Sequence, residues 1–213
     1  MQHAAVPRRR TRIQREKSEA ILKAALIVFS TEGFRGASLD QIAEAAGLSK
    51  QNLLYYFPSK ETVHRTLLER QLDSWLDPLR RIDPAGDPAQ EIRAYIIRKL
   101  EMARDLPLES RLFAGEILRG APHVADMLAG PLKQLVDDKA RVIRAWSRAG
   151  RIAPIDPYHL IFSIWAATQH YADFDPQVRA VLGEDAADPF PAAVDFLTGL
   201  YTRGLAPDRL LSG

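Results

Sequence analysis

The chain has 213 residues, 46% hydrophobic and 26% charged, enough for a true core in one compact unit or two small ones. It has no cysteine, which excludes a disulfide framework and thiolate chemistry and points to a cytoplasmic protein. The net charge of +2 is unevenly placed: residues 1–60 hold ten Lys and Arg against five acids, so a basic head precedes a mildly acidic body, and a polyanionic partner is expected at that end.

In chain order, residues 1–15 read as a basic arm, with Pro7, Arg8, Arg9, Arg10 and Arg12, suited to tracking a nucleic-acid backbone. A helix follows from near Arg12 or Glu16 to Gly33, with Ile21, Leu22, Ala25, Leu26 and Phe29 at helical spacing. Ser38 is placed to cap a second helix, with Gln41 as its capping-box partner, and Gly47 ends it. Ser49 caps a third helix, KQNLLYYF, and Pro58-Ser59 opens a long fourth to about Arg81. After a loop at DPAGDP, further helices are expected at 88–105, 107–119, 122–129, 131–149, 157–174 and 189–203, with Gly130 and Gly150 as breaks. No segment alternates as a strand does, and none approaches the ~20 apolar residues of a membrane span. The basic N-terminus also lacks the apolar run of a signal peptide. The expected fold is all-α: residues 16–61 form a helix-turn-helix unit of three helices, and 62–213 a larger bundle for ligand binding and dimerisation.

The helices joined by Gly47-Leu48-Ser49 make a helix-turn-helix, whose second member enters a DNA major groove with its first residues against base edges. Lys50 suits guanine O6/N7, and Gln51 or Asn52 can pair bidentately with adenine. Ser38 and Ser49 offer hydroxyls at helix starts, and Tyr55, Tyr56 and Lys60 can reach phosphates beside the groove. Phe57 reads as a wedge against the fourth helix. The same spacing also fits an ordinary capped hairpin that binds no DNA.

The stretch SLDQIAEAAGLSKQNLLYYFPSKE resembles the DNA-binding signature of the TetR family of bacterial regulators, through Ile42-Ala43, Ala46-Gly47-Leu48-Ser49, Leu53, Phe57 and Lys60-Glu61. Leu54 stands where that family usually carries a phosphate-touching tyrosine, a contact that Tyr55 or Tyr56 would have to supply. The segments SRLF, GAP and APIDPYHLIFSIWAATQHYADFDPQV resemble the branch of that family that responds to uracil or thymine. The resemblance implies a homodimeric repressor of pyrimidine-metabolism genes, held on double-stranded operator DNA and released by a pyrimidine base bound in the C-terminal bundle.

In the body, the 157–174 helix is apolar nearly all round, as a helix buried on two sides must be. Small Ser163 and Ala167 suit a partner, and the last helix adds a stripe of Phe190, Ala193, Val194, Leu197, Leu200 and Tyr201. Such helices could equally belong to a monomer's core. Trp165 and Gln169, four apart, share a face: an indole fits the faces of a flat pyrimidine, and a primary amide fits its alternating C=O and N–H edge. Trp75 is the candidate second aromatic wall, and Phe113 a further one. All could instead be core residues. No enzyme is expected: the histidines are scattered, and no glycine-rich phosphate loop, nucleophile elbow or His-Glu-x-x-His motif occurs. No cofactor is expected either. The alternatives are a family member that senses another small molecule, or a helical adaptor that binds no DNA.

Overall fold

The computed structural model describes residues 12–183 and 187–207; the arginines at 8, 9 and 10 lie outside them. Every element among the described residues is helical. The chain divides into two compact units, residues 1–67 and 68–213. The division falls inside a helix rather than at its start, where residues 61 and 62 had marked the expected boundary.

The first unit holds α1 (Arg12–Gly36), α2 (Leu39–Ala45), α3 (Lys50–Tyr56) and the start of α4 (Lys60–Arg80). Gly33, at φ 66° and ψ 172°, breaks the helical path of α1 without ending it, so the chain runs on to Gly36. The Ser38 hydroxyl accepts from the Gln41 amide, and the Gln41 side chain accepts from the Ser38 N–H, which completes the capping box. At the other end Gly47 holds φ 65°, and two N–H groups, of Leu48 and Gly47, donate to Ala43 and Glu44 carbonyls at 2.9 and 3.0 Å. That pair of bonds needs a left-handed residue at this point, which glycine adopts without penalty. Ile21, Ala25, Phe29, Ile42, Leu53, Phe57 and Val63 fill the unit's interior.

The second unit continues with α5 (Pro88–Asp105), α6 (Pro107–Leu118), α7 (Ala125–Met127), α8 (Lys133–Arg148), α9 (Pro157–Asp173), α10 (Asp175–Leu182) and α11 (Pro189–Gly204). Helix α5 packs against α9 and α11, and α9 also against α6 and α8. The core joins Ile92, Tyr95, Ile96 and Leu100 of α5 to Ile143 and Trp146 of α8, Leu160, Ile161 and Ile164 of α9 and Leu197 of α11. Asp87, Asp156 and Asp188 each cap a helix whose first turn holds a proline. Three departures from the sequence reading stand out. Gly130 does not break the chain: Leu128–Leu132 forms a π-helical turn between α7 and α8, a wider path around Pro131, which has no N–H to give. Helix α10 was not anticipated. The α11 stripe of Phe190, Ala193 and Leu197 faces the unit's own core, while Phe196 and Leu200 are exposed.

The loop from α4 to α5 is held by its carbonyls. Lys139 Nζ donates to Arg80 and Ile82 O at 2.9 and 2.8 Å, Trp146 Nε1 to Pro84 O at 3.0 Å, and Arg151 to Gly86 O at 2.7 Å.

Candidate nucleic-acid interface and ligand cavity

Helix α3 turns Leu53 inward and leaves Gln51, Asn52, Leu54 and Tyr55 exposed, so the exposed face and the packing face separate as the helical period requires. The side chains of Gln51 and Asn52 make no hydrogen bond to the described protein. Lys50 Nζ meets Asp40 Oδ2 at 2.9 Å, an exposed ion pair between α3 and α2. Ser49 Oγ accepts from the Asn52 N–H at 3.2 Å. The Ser38 hydroxyl is occupied within its capping box, where it also donates to Gln41 at 2.8 Å. Tyr55, 72% exposed, packs edge-on to Tyr56 with ring centroids 5.1 Å apart, and its hydroxyl accepts from Gln14 Nε2 at 3.3 Å. Lys60 is turned toward the protein: its ammonium donates to the carbonyls of Phe34 and Ala37, both at 2.8 Å, and lies 4.7 Å from the Phe34 ring centre. It clamps the end of α1 and keeps one N–H for another partner.

In the second unit Trp75, Phe113, Trp165 and Gln169 all line one cavity of about 680 Å³ between α4, α5, α6 and α9. The Trp165 indole N–H is taken by the Tyr95 hydroxyl at 2.6 Å, which fixes the ring and leaves its faces for packing. Burial raises the Tyr95 hydroxyl's pKa well above its ordinary range. The Gln169 amide makes no hydrogen bond to the described protein. Leu72, Leu76, Leu128 and Leu132 give much of the wall an apolar character. Besides Gln169, the polar part comes from residues the sequence reading passed over: Lys99, Arg111 and Asp173. The signals were there. Lys99 falls on the apolar stripe of Ile92, Ile96 and Ala103, and Asp173 continues the four-residue spacing of Trp165 and Gln169.

Residues 21–65 match the model of the bacterial regulatory proteins of the tetR family, and residues 68–208 that of the YcdC-like protein C-terminal region. The chain belongs to the TetR family. Among TetR-family relatives, the HTH-type transcriptional regulator RutR of Escherichia coli (strain K12) is 50% identical over 201 residues, covering 93% of this chain and 95% of its own. The HTH-type transcriptional repressor NicS of Pseudomonas putida is 35% identical over 194 residues, covering 87% and 90%. The solved ketosteroid transcriptional regulator KstR2 of Mycobacterium tuberculosis superposes with a TM-score of 0.71 at 18% identity, over 90% of this chain and 96% of its own, which speaks to the fold. As a TetR-family member the protein is a DNA-binding transcriptional regulator, with the helix-turn-helix first and a helical C-terminal domain after it. The relatives are named as transcriptional regulators, not as enzymes. Among the described residues no helix is long and apolar enough to cross a membrane.

Proposed function

We propose that the protein is a cytoplasmic, homodimeric repressor of pyrimidine-metabolism genes that leaves its operator when uracil or thymine occupies the cavity of the second unit. The observation that carries this reading is the gathering of Trp75, Phe113, Trp165 and Gln169 around one largely apolar space, with the Gln169 amide still unpaired. Indole faces sandwich a flat ring, and the amide supplies a donor and an acceptor to its edge. The sequence resemblance to the pyrimidine-responsive branch of the family supports the same ligand.

Lys50, Gln51 and Asn52 are the proposed base readers. Ser38 and Ser49 at the helix starts, with Tyr55, Tyr56 and Lys60, are the proposed phosphate contacts. The dimer would form through exposed apolar positions of α9 and α11, among them Phe162, Phe196 and Leu200. Helix α4 begins three residues after Phe57 and carries Trp75, so a ligand pressed on that indole acts on the element that follows the recognition helix. A coupling of about 1–3 kcal/mol would loosen operator DNA by roughly 5- to 150-fold.

Titration calorimetry of uracil into wild type and Gln169→Ala, beside operator binding by both, tests the reading. Wild type should bind uracil and release DNA; Gln169→Ala should bind the operator normally and ignore uracil. Equal uracil affinity in the two proteins would falsify the pocket. One observation favours a second reading: the cavity lies within the range of about 300–1,000 Å³ seen for drug-sized ligands, which leaves room for an effector larger than one pyrimidine ring. Thermal shifts over a panel of nucleobases and larger planar heterocycles separate the two.

A further inference from the structure

Lys99 is the least expected residue in the cavity wall. Its residue surface is 2% exposed, yet its ammonium makes no hydrogen bond to any described residue. It lies 3.8 Å from the centre of the Trp75 ring. Asp173 is close enough to act on it electrostatically but forms no ion pair with it. One Asp173 oxygen, Oδ1, accepts from the buried Ser110 hydroxyl, and Oδ2 has no partner among the described residues. Both residues line the same cavity as Gln169. The ammonium of this almost wholly buried lysine rests on the indole with no hydrogen bond, and the half-buried Asp173 keeps one oxygen free, so the donors and the acceptor are both available to a ligand in the cavity.

We propose that Lys99 and Asp173 are effector-binding residues forming the polar end of this cavity, the ammonium donating to a ring carbonyl and the free carboxylate oxygen accepting from a ring N–H. The proposal rests on the reading of the cavity as an effector site and narrows its ligand to a flat ring that carries a carbonyl beside an N–H. Gln169 meets a second polar edge, and the indoles take the faces. Burial depresses the Lys99 pKa to about 7, with Asp173 pulling the other way, and burial raises that of Asp173. Both shifts are those of charges that the free protein leaves incompletely paired. Trp75 Nε1, also buried and without a hydrogen bond, is a further unused donor on a residue of the same cavity.

The test compares wild type, Lys99→Met, Asp173→Leu and the double variant Lys99→Met/Asp173→Leu. The double variant removes both charges together, so neither is left alone in the interior. Uracil is titrated calorimetrically into each, with thermal melting and operator binding measured on ligand-free protein. The expected result is a loss of uracil affinity of tenfold or more in every variant, with operator binding retained and Lys99→Met melting no lower than wild type. A lysine kept only for the fold would behave in the opposite way, so a Lys99→Met chain that melts well below wild type overturns the ligand role of that residue. Uracil binding to the double variant within twofold of wild type overturns the proposal as a whole. If Gln169→Ala still loses uracil in that case, the effector site stands and only its polar end is misassigned. A wild type that takes up no uracil removes the underlying reading as well.

Discussion

At the scale of single residues, the buried Lys99 ammonium makes stability depend on pH. A lysine whose folded pKa lies below its unfolded value binds fewer protons when folded, so stability rises with pH between the two values. For Lys99 the cost is full below about pH 7 and fades as pH climbs toward the ordinary lysine range near 10.4. Each unit of depression corresponds to about 1.4 kcal/mol, so several kcal/mol are at stake. Asp173, Arg111 and His170 act electrostatically in this neighbourhood, and burial raises the Asp173 pKa above its ordinary value. Ligand-free wild type should therefore gain melting temperature relative to Lys99→Met between pH 6.5 and 9. A gap that stays constant over that range rules out a buried ammonium. In the first unit Lys50 is engaged by Asp40 before DNA arrives. An exposed pair of this kind is worth about 0.2–1 kcal/mol. Asp40→Asn should accordingly tighten operator binding by up to a few-fold, as fluorescence anisotropy would register; weaker binding would mean that Asp40 positions Lys50 rather than competing for it.

At the scale of helices, the sequence was legible wherever a side chain closes an element. Ser38 with Gln41, Ser49, and the Asp-Pro starts of α5, α9 and α11 act through local geometry, which needs no knowledge of the tertiary fold. Ser38→Ala removes the hydroxyl half of the capping box, leaving the backbone N–H of residue 38 on the Gln41 side chain, and should lower stability by about 1 kcal/mol, read as a drop in thermal midpoint; an unchanged midpoint would show that the hydroxyl adds nothing to the hold on α2. Helix α10 also begins at an Asp-Pro pair, yet it was hidden: Phe174 closes α9 and opens α10, so no loop residue separates them. The π-helical turn at Leu128–Leu132 was equally illegible, because glycine followed by proline ordinarily signals a break. Periodicity found the core face of α11 and missed the exposed Phe196, since an apolar face looks alike whether the chain itself or something else covers it. The aromatic and amide residues of the cavity stood out by type and spacing. Lys99 did not stand out by type, since a lysine in a helix ordinarily reads as solvated; only its place on the apolar stripe of Ile92, Ile96 and Ala103 marked it.

At the scale of the whole molecule, the proposed dimer would present two recognition helices to a pseudo-palindromic site, with half-sites about 34–36 Å apart. Phe196, 62% exposed, is the sharper probe of that assembly, because replacing it leaves the subunit's own core intact. Phe196→Glu should yield monomers by light scattering, with normal helical content and much weaker operator binding; a wild-type mass would move the interface elsewhere. The loop between α4 and α5 carries a different consequence. Carbonyls 80, 82, 84 and 86 are each held by a side chain of α8 or of the turn after it. Arg81 between them is largely exposed, and by side chain alone it is a fair target for trypsin. A protease, however, must draw several residues of backbone into its cleft, and this segment cannot yield them without giving up bonds spaced along its whole length. The peptide after Arg81 should thus survive digestion in the folded protein, and Lys139→Met, which frees two of the four carbonyls, should make it the first bond cut.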